Sequence, residues 1–317
     1  MKNVTLLADK LKKEKSVAIF THVRPDGDCL GSALALNLGL KSLGINSKVF
    51  CADPIPERFF YINGAQEISP VLSGDFSAFV SVDCADYSRI SVLGDSFLMK
   101  NNTYNIDHHI SNTNYAKTNY IVDNAANCEN IYDLLIAMGV TITQDIANAL
   151  ATGLVTDTGN FRHKSVTPRT FIIASELLKH GADFNHIIYK QFNEQSRNRA
   201  KLFGIVMNKL RYFLDGKLCI GTITQNDIDS ANALPDETEG FIDFIMGIKG
   251  VEVGVCIMQI DTDKYKCSFR SKSVDVNQIA NRFGGGGHVL ASGCQLRCEL
   301  EEAVDDIRYT VSQFIPD

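Results

Sequence analysis

The first two-thirds of the chain alternates short apolar runs with longer amphipathic stretches, and this pattern limits the possible folds more than any other feature. The apolar runs predict buried strands at 16–22, 47–52, 78–86 and 103–109. The amphipathic stretches predict helices at 31–44, 129–139, 143–156 and 168–180. Strands that alternate with helices favour a doubly wound α/β fold with a mainly parallel sheet.

The sequence beyond residue 188 is organised differently. A polar, charge-mixed stretch that begins "YKQFNEQSRNRAK" predicts a linker helix over 189–213. Further strands are predicted at 217–224, 251–260 and 265–271, with helices at 240–248, 276–283 and 299–314. We therefore expect a doubly wound domain over 1–188 and a smaller α/β domain with a mixed sheet over 214–317.

Length and charge narrow the possible classes of protein. With 317 residues, the chain is long enough for two domains that each bury a core. Its 45% hydrophobic and 21% charged residues are typical of a folded, soluble protein. A net charge of -6 argues against binding long nucleic acid, which needs a broad basic surface, but it leaves room for a small anionic ligand.

The distribution of cysteines and of apolar residues indicates the cellular compartment of the protein. Nine cysteines are dispersed without a Cys-x-x-Cys pair, as expected for reduced thiols rather than for a disulfide framework. The opening segment lacks the apolar core of a signal peptide, and no run of about 20 apolar residues could span a bilayer. We therefore expect a cytoplasmic protein without membrane contact.

Polar side chains cluster where the predicted strands end. The stretches "THVRPDGD", "FVSVDCAD" and "YNIDHH" each follow or finish a strand, and "TGLVTDTGNFRH" follows a helical run. Ligands bind beyond the carboxyl ends of the strands in an open parallel sheet, so we expect these side chains to gather in one crevice. The residues concerned are His22, Asp26, Asp28, Asp83, Asp107, His108, His109 and Asp157.

Each of these residues taken alone has a simpler explanation. Asp26 and Asp28 belong to Pro-Asp-Gly-Asp, a common turn sequence, while Asp83 and Asp157 could cap helices. Together, however, the carboxylates would repel one another unless a cation compensated their charge. An oxygen-rich set with one imidazole per ion favours two Mn²⁺ ions, with Mg²⁺ as the alternative. Such a pair of ions hydrolyses phosphate esters, because a shared hydroxide attacks phosphorus while both ions stabilise the developing charge.

The motifs "HVRPDGDCLGS", "VDC", "DHH" and "GLVTDTGNF", in this order, resemble those of the DHH phosphoesterase superfamily. The stretch "FRSKSVDVNQIANRFGGGGHVLASG", residues 269–293, is similar to the DHHA1 substrate-binding domain. Within the superfamily, the length and the pair of domains most resemble the bacterial bifunctional oligoribonuclease and pAp phosphatase (nanoRNase) group. The resemblance implies a hydrolase that degrades very short RNAs to mononucleotides and converts 3′-phosphoadenosine 5′-phosphate (pAp) to AMP.

The resemblance also implies a role for each polar residue. One metal ion would be held by His22, Asp26 and Asp83, and the second by Asp28, Asp83, His108 and Asp157. Asp83 would then bridge the two ions. Asp107 would orient the ligand histidine His108 from behind. His109 would face the substrate, where it would contact the phosphate or help to protonate the leaving oxygen. One departure from the family pattern is "AANCEN" at 125–130, where relatives often show a Ser/Thr-rich turn.

A glycine-rich run marks the C-terminal domain. Four glycines precede His288, and their backbone N–H groups could converge on an anion as a nest. Arginine grips phosphate in a bidentate manner, so nearby basic residues favour a phosphate pocket over a plain surface loop. The predicted pocket comprises Arg270, Ser271, Lys272, Arg282, Gly285, Gly286, Gly287 and His288.

Three functions remain open from the sequence. The leading hypothesis is a Mn²⁺-dependent phosphoesterase acting on short oligoribonucleotides and pAp. A phosphodiesterase for linear or cyclic dinucleotides, such as pGpG or c-di-AMP, would use the same residues. A nucleotide-binding regulator without turnover is the third hypothesis, although binding alone has no need of a two-metal site.

Overall fold

The computed structural model describes residues 3–315, which divide into two compact units between Glu194 and Gln195. The sequence predicted the first domain to end somewhat earlier, at 188. The outermost residues of the two predicted domains, 1–2 and 316–317, lie outside the described residues. Within 3–315, no helix combines the length and the apolar character needed to cross a bilayer.

The N-terminal unit contains a five-stranded sheet in the order β2-β1-β3-β4-β5, and all of its neighbouring strands are parallel. The strands are β1 (Ser16–Phe20), β2 (Asn46–Phe50), β3 (Ala78–Val82), β4 (Thr103–Asp107) and β5 (Thr118–Ile121). The helices are α1 (Val4–Leu11), α2 (Gly27–Ser42), α3 (Gly94–Met99), α4 (Asn127–Met138), α5 (Gln144–Asp157), α6 (Pro168–Lys179) and α7 (Phe184–Ile188).

Both faces of this sheet are covered, which explains its nearly continuous apolar strands. Along β1, Val17 and Ile19 pack into one hydrophobic cluster with α1, α2, α4 and α5. Ala18 and Phe20 point the other way and pack with Phe97 of α3 in a second cluster. Alternate residues of one strand therefore serve two cores, and the predicted doubly wound fold is confirmed.

The strand order reverses at β1, since β2 lies on one side of it and β3 on the other. In a doubly wound sheet, this reversal opens a crevice at the carboxyl ends of β1 and β3. Helices α2 and α5 approach each other closely beside it. A Cβ placed on Gly31 of α2 would lie 2.3 Å from the Ala149 carbonyl oxygen of α5, so only glycine permits this approach.

Some predicted boundaries differ from the observed ones. The helix predicted at 31–44 begins at Gly27, because the Asp26 side chain accepts a hydrogen bond from the Cys29 amide and caps it there. Strand β5 was not predicted. It has four residues, of which only Tyr120 is buried, so it carries little apolar signal.

The C-terminal unit contains a six-stranded mixed sheet in the order β10-β11-β9-β8-β7-β6. Among these six strands, β7 and β8 pair in parallel and the other neighbours pair antiparallel. The strands are β6 (Arg211–Phe213), β7 (Leu218–Ile223), β8 (Val253–Asp261), β9 (Lys264–Ser271), β10 (Gly286–His288) and β11 (Ala291–Arg297). The helices are α8 (Arg197–Asn208), α9 (Gln225–Ala231), α10 (Phe241–Gly247), α11 (Val276–Asn281) and α12 (Leu300–Ser312).

The segment predicted as a linker helix, 189–213, holds three elements instead of one. A π-helical turn, Tyr189–Asn193, ends in extended backbone at Glu194. Ser196 is also extended, and its side chain accepts a hydrogen bond from the Arg199 amide to start α8. The last residues of the segment already belong to β6. The polar composition that indicated one helix therefore covers a break and a new N-cap.

The two faces of the C-terminal sheet pack against different helices. Cys267 and Phe269 of β9 belong to a hydrophobic cluster with α11 and α12. Cys256 and Met258 of β8 point to the other face and pack with Phe241 of α10. This division decides which side chains of β9 and β11 can share a site.

Candidate metal centre

Three of the predicted ligands follow β1 directly. The His22 side chain is buried just past the end of the strand, and Asp26 caps α2. Asp28 lies in the first turn of the same helix and is also buried. The turn-forming role that Pro-Asp-Gly-Asp suggests is therefore real, but the turn also directs both carboxylates towards the end of the sheet.

Asp83 follows the last residue of β3 and has a left-handed backbone, with φ of 53°. Such a conformation is uncommon for a residue other than glycine and is often found at functional sites. Its amide still donates a hydrogen bond to the Ile106 carbonyl, which extends the strand pairing. The backbone thus turns sharply while staying anchored to β4.

The Asp83 carboxylate lies between two histidines. Its Oδ2 is 3.6 Å from His22 Nε2, and its Oδ1 is 3.3 Å from His108 Nε2. Among the described residues 3–315, Asp83 Oδ1 is the one buried side-chain nitrogen or oxygen without a hydrogen-bond partner. Buried polar atoms are nearly always paired, so this oxygen indicates a missing positive partner.

The hydrogen bonds of His108 direct its other ring nitrogen into the centre. Nδ1 lies 3.0 Å from the Asn124 carbonyl, which can only accept, so the proton of a neutral ring belongs on Nδ1. The Nε2 lone pair then faces Asp83, with Asp157 Oδ2 at 3.7 Å and Asp28 Oδ2 at 4.0 Å. Lone pairs that converge in this way suit a bound cation.

His22 also directs Nε2 towards carboxylates, but its Nδ1 faces a donor, Arg89 Nη2 at 3.1 Å, as well as an acceptor. Its Nδ1 lies 2.8 Å from the Val23 carbonyl, while Nε2 faces Asp26 Oδ2 at 3.7 Å as well as Asp83. The structure therefore brings the six predicted ligands into two groups that share Asp83. One group is His22, Asp26 and Asp83, and the other is Asp28, Asp83, His108 and Asp157. Their role as ligands stays a prediction.

The pKa values reflect this concentration of charge. Burial and the nearby Asp83 and Asp157 carboxylates raise the pKa of Asp28 well above its usual range. Burial also raises the pKa of Asp157 to about 6, opposed in part by His108. For His108, burial works against the charged form, yet the adjoining carboxylates of Asp83 and Asp28 prevail and raise its pKa to about 10. Bound protons thus offset the negative charge of the clustered carboxylates, as a divalent cation would do.

Asp157 does not lie at the position of a helix N-cap. It is the last residue of α5, whereas the sequence suggested a helix N-cap as its simplest role. A carboxylate at a helix C-terminus is unfavourable, because the backbone carbonyls there carry partial negative charge. This placement supports a role in the centre rather than in capping.

Asp107 orients a different histidine from the one expected. Its Oδ1 lies 2.8 Å from His109 Nδ1, and its Oδ2 accepts a hydrogen bond of 2.5 Å from Asn112 Nδ2. The expected ligand histidine, His108, is instead held by Asn124. Asp107 therefore fixes the partly exposed His109, whose free Nε2 is the natural contact for a substrate.

Some groups at the centre were not predicted from the sequence. The backbone amides of Asn127 and Cys128, at the start of α4, donate to Asp28 over 2.5 and 2.9 Å. These residues belong to "AANCEN", the stretch that departs from the family pattern. Since backbone amides hold the carboxylate, a Ser/Thr-rich turn is not needed for this purpose. The available signal was a polar first turn, which begins with Asn127, on a helix that is otherwise largely buried.

Cys29 and Arg89 also lie at the centre. Cys29 Sγ is within reach of the atoms of His22 and Asp83 that face each other. Burial raises the pKa of the Cys29 thiol to about 12, so the neutral thiol is a poor competitor for a cation. The exposed Arg89 places Nη2 3.1 Å from His22 Nδ1, and its guanidinium is available to an anionic substrate.

Two of the predicted phosphate-binding residues share one face of the C-terminal sheet. Ala291 of β11 is paired with His288 on one side and with Arg270 on the other. Directly opposed residues project from the same face, so His288 and Arg270 stand about two strand spacings, or ~10 Å, apart. Lys272 lies just beyond β9 and is exposed.

Arg282 and Ser271 do not join this pair. The Arg282 guanidinium donates to Gln313 Oε1 over 2.9 Å and stacks over Phe314, beyond α12. Helices α11 and α12 cover the opposite face of the sheet from Arg270, and Arg282 directly follows α11. The Ser271 hydroxyl accepts hydrogen bonds from the amides of Ser273 and Val274, which commits it to a turn.

The glycine-rich run is not the open nest that was expected. The Gly285 amide donates to the Ala280 carbonyl over 2.9 Å, and Gly286–His288 form β10. A Cβ on Gly285 would lie 2.2 Å from the Gly293 carbonyl oxygen, and one on Gly287 would lie 2.7 Å from that of Ala291. These glycines therefore allow β10 to approach β11, and the expectation of freely converging amides is wrong for Gly285.

Comparisons with known proteins agree on one family. The family model for the DHH family, N-terminal domain, matches residues 16–154, and the one for the DHHA1 domain matches 215–317. The chain is 32% identical to the bifunctional oligoribonuclease and PAP phosphatase NrnA of Thermus thermophilus, over 97% of this chain and 93% of that protein. It is 31% identical to a probable protein of the same name from Streptococcus mutans, over 91% and 92%.

The overall fold also has a counterpart of known structure. The crystal structure of an exopolyphosphatase-related protein from Bacteroides fragilis matches with a TM-score of 0.85 and 25% sequence identity. The match covers 98% of this chain and 95% of that one. Both units of the chain therefore have equivalents in a single solved protein.

Proposed function

Because the chain belongs to the DHH family of phosphoesterases, we propose that it hydrolyses short oligoribonucleotides to mononucleotides and converts pAp to AMP. The names of its relatives in Thermus thermophilus and Streptococcus mutans support both substrates. The exposed His288 and the half-buried Arg270 share one face of the C-terminal sheet, and this pair supports an anionic substrate that carries phosphate.

One observation carries this proposal: Asp83 presents an oxygen to each of two ligand groups, and its Oδ1 is buried without a hydrogen-bond partner in the described part of the chain. A carboxylate shared in this way fits a bridge between two cations. A purely structural aspartate would have its oxygens paired with N–H or O–H donors, as the buried Asp227 has with the amide and hydroxyl of Thr224.

The donor set fits two divalent cations. Carboxylate oxygens outnumber imidazole nitrogens, and the buried Cys29 thiol is held neutral, so Mn²⁺ is favoured over softer metals and Mg²⁺ is the alternative. His22, Asp26 and Asp83 would hold one ion, and the group that contains His108 would hold the other. When bound, the two ions activate water and stabilise the charge that develops at phosphorus.

The remaining residues act on the substrate itself. His109, fixed by Asp107 through Nδ1, presents Nε2 to a phosphate oxygen or to the leaving oxygen. Arg270 and His288, in the C-terminal unit, bind phosphate. Arg89 adds a further cation beside His22. In this proposal, the N-terminal unit carries out the hydrolysis and the C-terminal unit contributes most of the substrate-binding side chains.

The proposal is tested with purified protein, Mn²⁺ and four substrates: pAp, end-labelled RNAs of graded length, pGpG and c-di-AMP. We expect release of AMP from pAp and degradation that becomes slower as the RNA lengthens. Asp83→Asn protein is the control for contaminating nucleases and phosphatases. Turnover confined to pGpG or c-di-AMP would support a dinucleotide phosphodiesterase, and binding without turnover would support a regulator.

A further inference from the structure

Cys267 and Cys294 stand directly opposite each other on the antiparallel strands β9 and β11. Opposed residues in such a pair have Cα atoms about 4.5–5.5 Å apart. A disulfide bond requires Cα atoms about 4.4–6.8 Å apart. The backbone therefore already holds these two cysteines at a separation that a disulfide can bridge.

Both side chains point to the face of the sheet that packs against α11 and α12. The Cys267 thiol neighbours the Cys294 sulphur across the strand pair, and this contact holds the pKa of Cys294 below its usual value. The same contact, together with burial, raises the pKa of Cys267. Cys294 is thus the better nucleophile of the pair, and Cys267 is placed to act second.

Cys267 is fully buried and Cys294 is 6% exposed, so a reagent that approaches from solvent meets Cys294 first. A surface cavity of about 400 Å³ is lined by Cys267 and Cys294 together with Phe283, Gly285 and Lys266. The other cysteines do not offer the same combination. Cys256 of β8 is opposite Ser268 and faces the other side of the sheet, so it cannot substitute for either partner.

The pair also lies against the glycine-rich run. A Cβ placed on Gly285 would meet Cys294 Cβ at 2.5 Å and Cys294 Cα at 2.7 Å. The Gly285 backbone therefore rests on Cys294 without an intervening side chain. A change in the position or mobility of Cys294 must be accommodated by the glycine-rich run.

We propose that Cys267 and Cys294 are a redox modification site at which a low-molecular-weight disulfide, such as oxidised glutathione, forms a reversible cross-strand disulfide behind the glycine-rich run. The Cys294 thiolate attacks one sulphur of oxidised glutathione, the S–S bond breaks, and one glutathione thiol leaves. The Cys267 thiolate then displaces the second glutathione from Cys294. The two cysteines lose two electrons and two protons in total, and two reduced glutathione molecules carry them away.

This site does not depend on the proposed phosphoesterase activity, and neither does its test. The full chain is incubated with oxidised glutathione, and its thiols are then counted after unfolding. We expect the count to fall from nine to seven and to return to nine with dithiothreitol. Trypsin places Cys267 in the peptide 267–270 and Cys294 in 283–297, so the disulfide should join these two peptides.

Variants identify the partners. The linked peptide should disappear in Cys267→Ser and in Cys294→Ser but persist in Cys256→Ser. A lasting glutathione adduct on Cys294, or a linkage between other cysteines, would overturn the proposal. Hydrogen exchange measures the effect on the glycine-rich run, and we expect the amides of 283–287 to exchange more slowly after oxidation. Unchanged exchange would refute the coupling between the thiol pair and the run.

Discussion

The His108 Nε2 atom lies 3.3 Å from Asp83 Oδ1, and both atoms are acceptors when the Nδ1 proton of His108 is directed to the Asn124 carbonyl. Two facing acceptors in a buried position are unfavourable unless a positive charge lies near both. Without a metal ion, a proton supplies that charge, which is why the pKa of His108 is raised to about 10. With a metal ion, the proton must leave. The structure thus links metal binding to pH.

Replacing Asp83 with asparagine should abolish turnover, because both ligand groups lose the oxygen that they share. Partners that only support a metal ligand typically cost about 10- to 100-fold when removed, so we expect a loss of at least about 100-fold here. The measurement is AMP release from pAp with saturating Mn²⁺. Asp75→Asn is the matched control, since the Asp75 side chain is fully exposed. Activity within a few-fold of the wild type in Asp83→Asn would refute the bridging role.

Metal binding should release protons at pH 8. The pKa of His108 is about 10 without metal, so its ring is protonated at this pH and must lose a proton before Nε2 can bind a cation. Metal affinity should therefore rise as the pH is raised towards 10. Calorimetry in buffers of different ionisation enthalpy counts the protons, and we expect His108→Gln to release about one fewer than the wild type. His180→Gln, which changes an exposed histidine at the end of α6, should match the wild type.

Asp107 and His109 should act as one unit in turnover. The 2.8 Å contact between Asp107 Oδ1 and His109 Nδ1 fixes the ring, so Asp107→Asn should lower kcat by about 10- to 100-fold. In the double variant Asp107→Asn with His109→Gln, the loss should equal that of His109→Gln alone. Mn²⁺ affinity should change little in all three proteins. Losses that simply multiply, or a collapse of Mn²⁺ affinity, would show that Asp107 has another role.

The part of the site that the sequence predicted depends on backbone topology. His22, Asp83 and His108 were assigned to one place because parallel strands end at the same edge, and the structure brings them together there. The family resemblance, the doubly wound fold and the mixed second sheet were confirmed as well. These features can be predicted from the order of the strands and from the motifs that follow each strand.

The part that the sequence could not predict depends on side-chain direction and distant partners. Arg282 lies beside the glycine-rich run in sequence, yet Gln313 and Phe314 draw its side chain towards α12. The glycines themselves serve the close pairing of β10 with β11, a strand that follows them. Asp107 contacts His109 rather than His108 because Asn124 occupies the Nδ1 side of His108. Each outcome rests on a contact that no local pattern encodes.

Arg270→Ala should chiefly raise KM. Arg270 lies on the same face of the C-terminal sheet as His288. The predicted metal ligands all belong to the other unit of the chain. A charge-assisted hydrogen bond contributes about 1.5–3 kcal/mol, so KM for pAp should rise about 10- to 100-fold while kcat stays near the wild-type value. Arg297→Ala, on the exposed end of β11, is the matched control and should leave KM unchanged. A loss confined to kcat would remove Arg270 from substrate binding.

Two glycine-to-alanine substitutions should change the free energy of unfolding in opposite directions. Gly31→Ala puts a Cβ 2.3 Å from the Ala149 carbonyl oxygen, so α2 and α5 must separate, at a cost of about 1–3 kcal/mol. Gly204 lies within α8, and apart from its chain neighbours and the nearby backbone of its own helix, no atom of the described residues comes within 4 Å of the place that a Cβ would take there. Gly204→Ala should therefore stabilise the protein by about 0.5–1 kcal/mol. Urea unfolding of the metal-free protein, followed separately for the two units, measures both effects. Because helix propensity favours alanine at both positions, a stabilised Gly31→Ala protein would mean that the contact between α2 and α5 yields more easily than its geometry indicates.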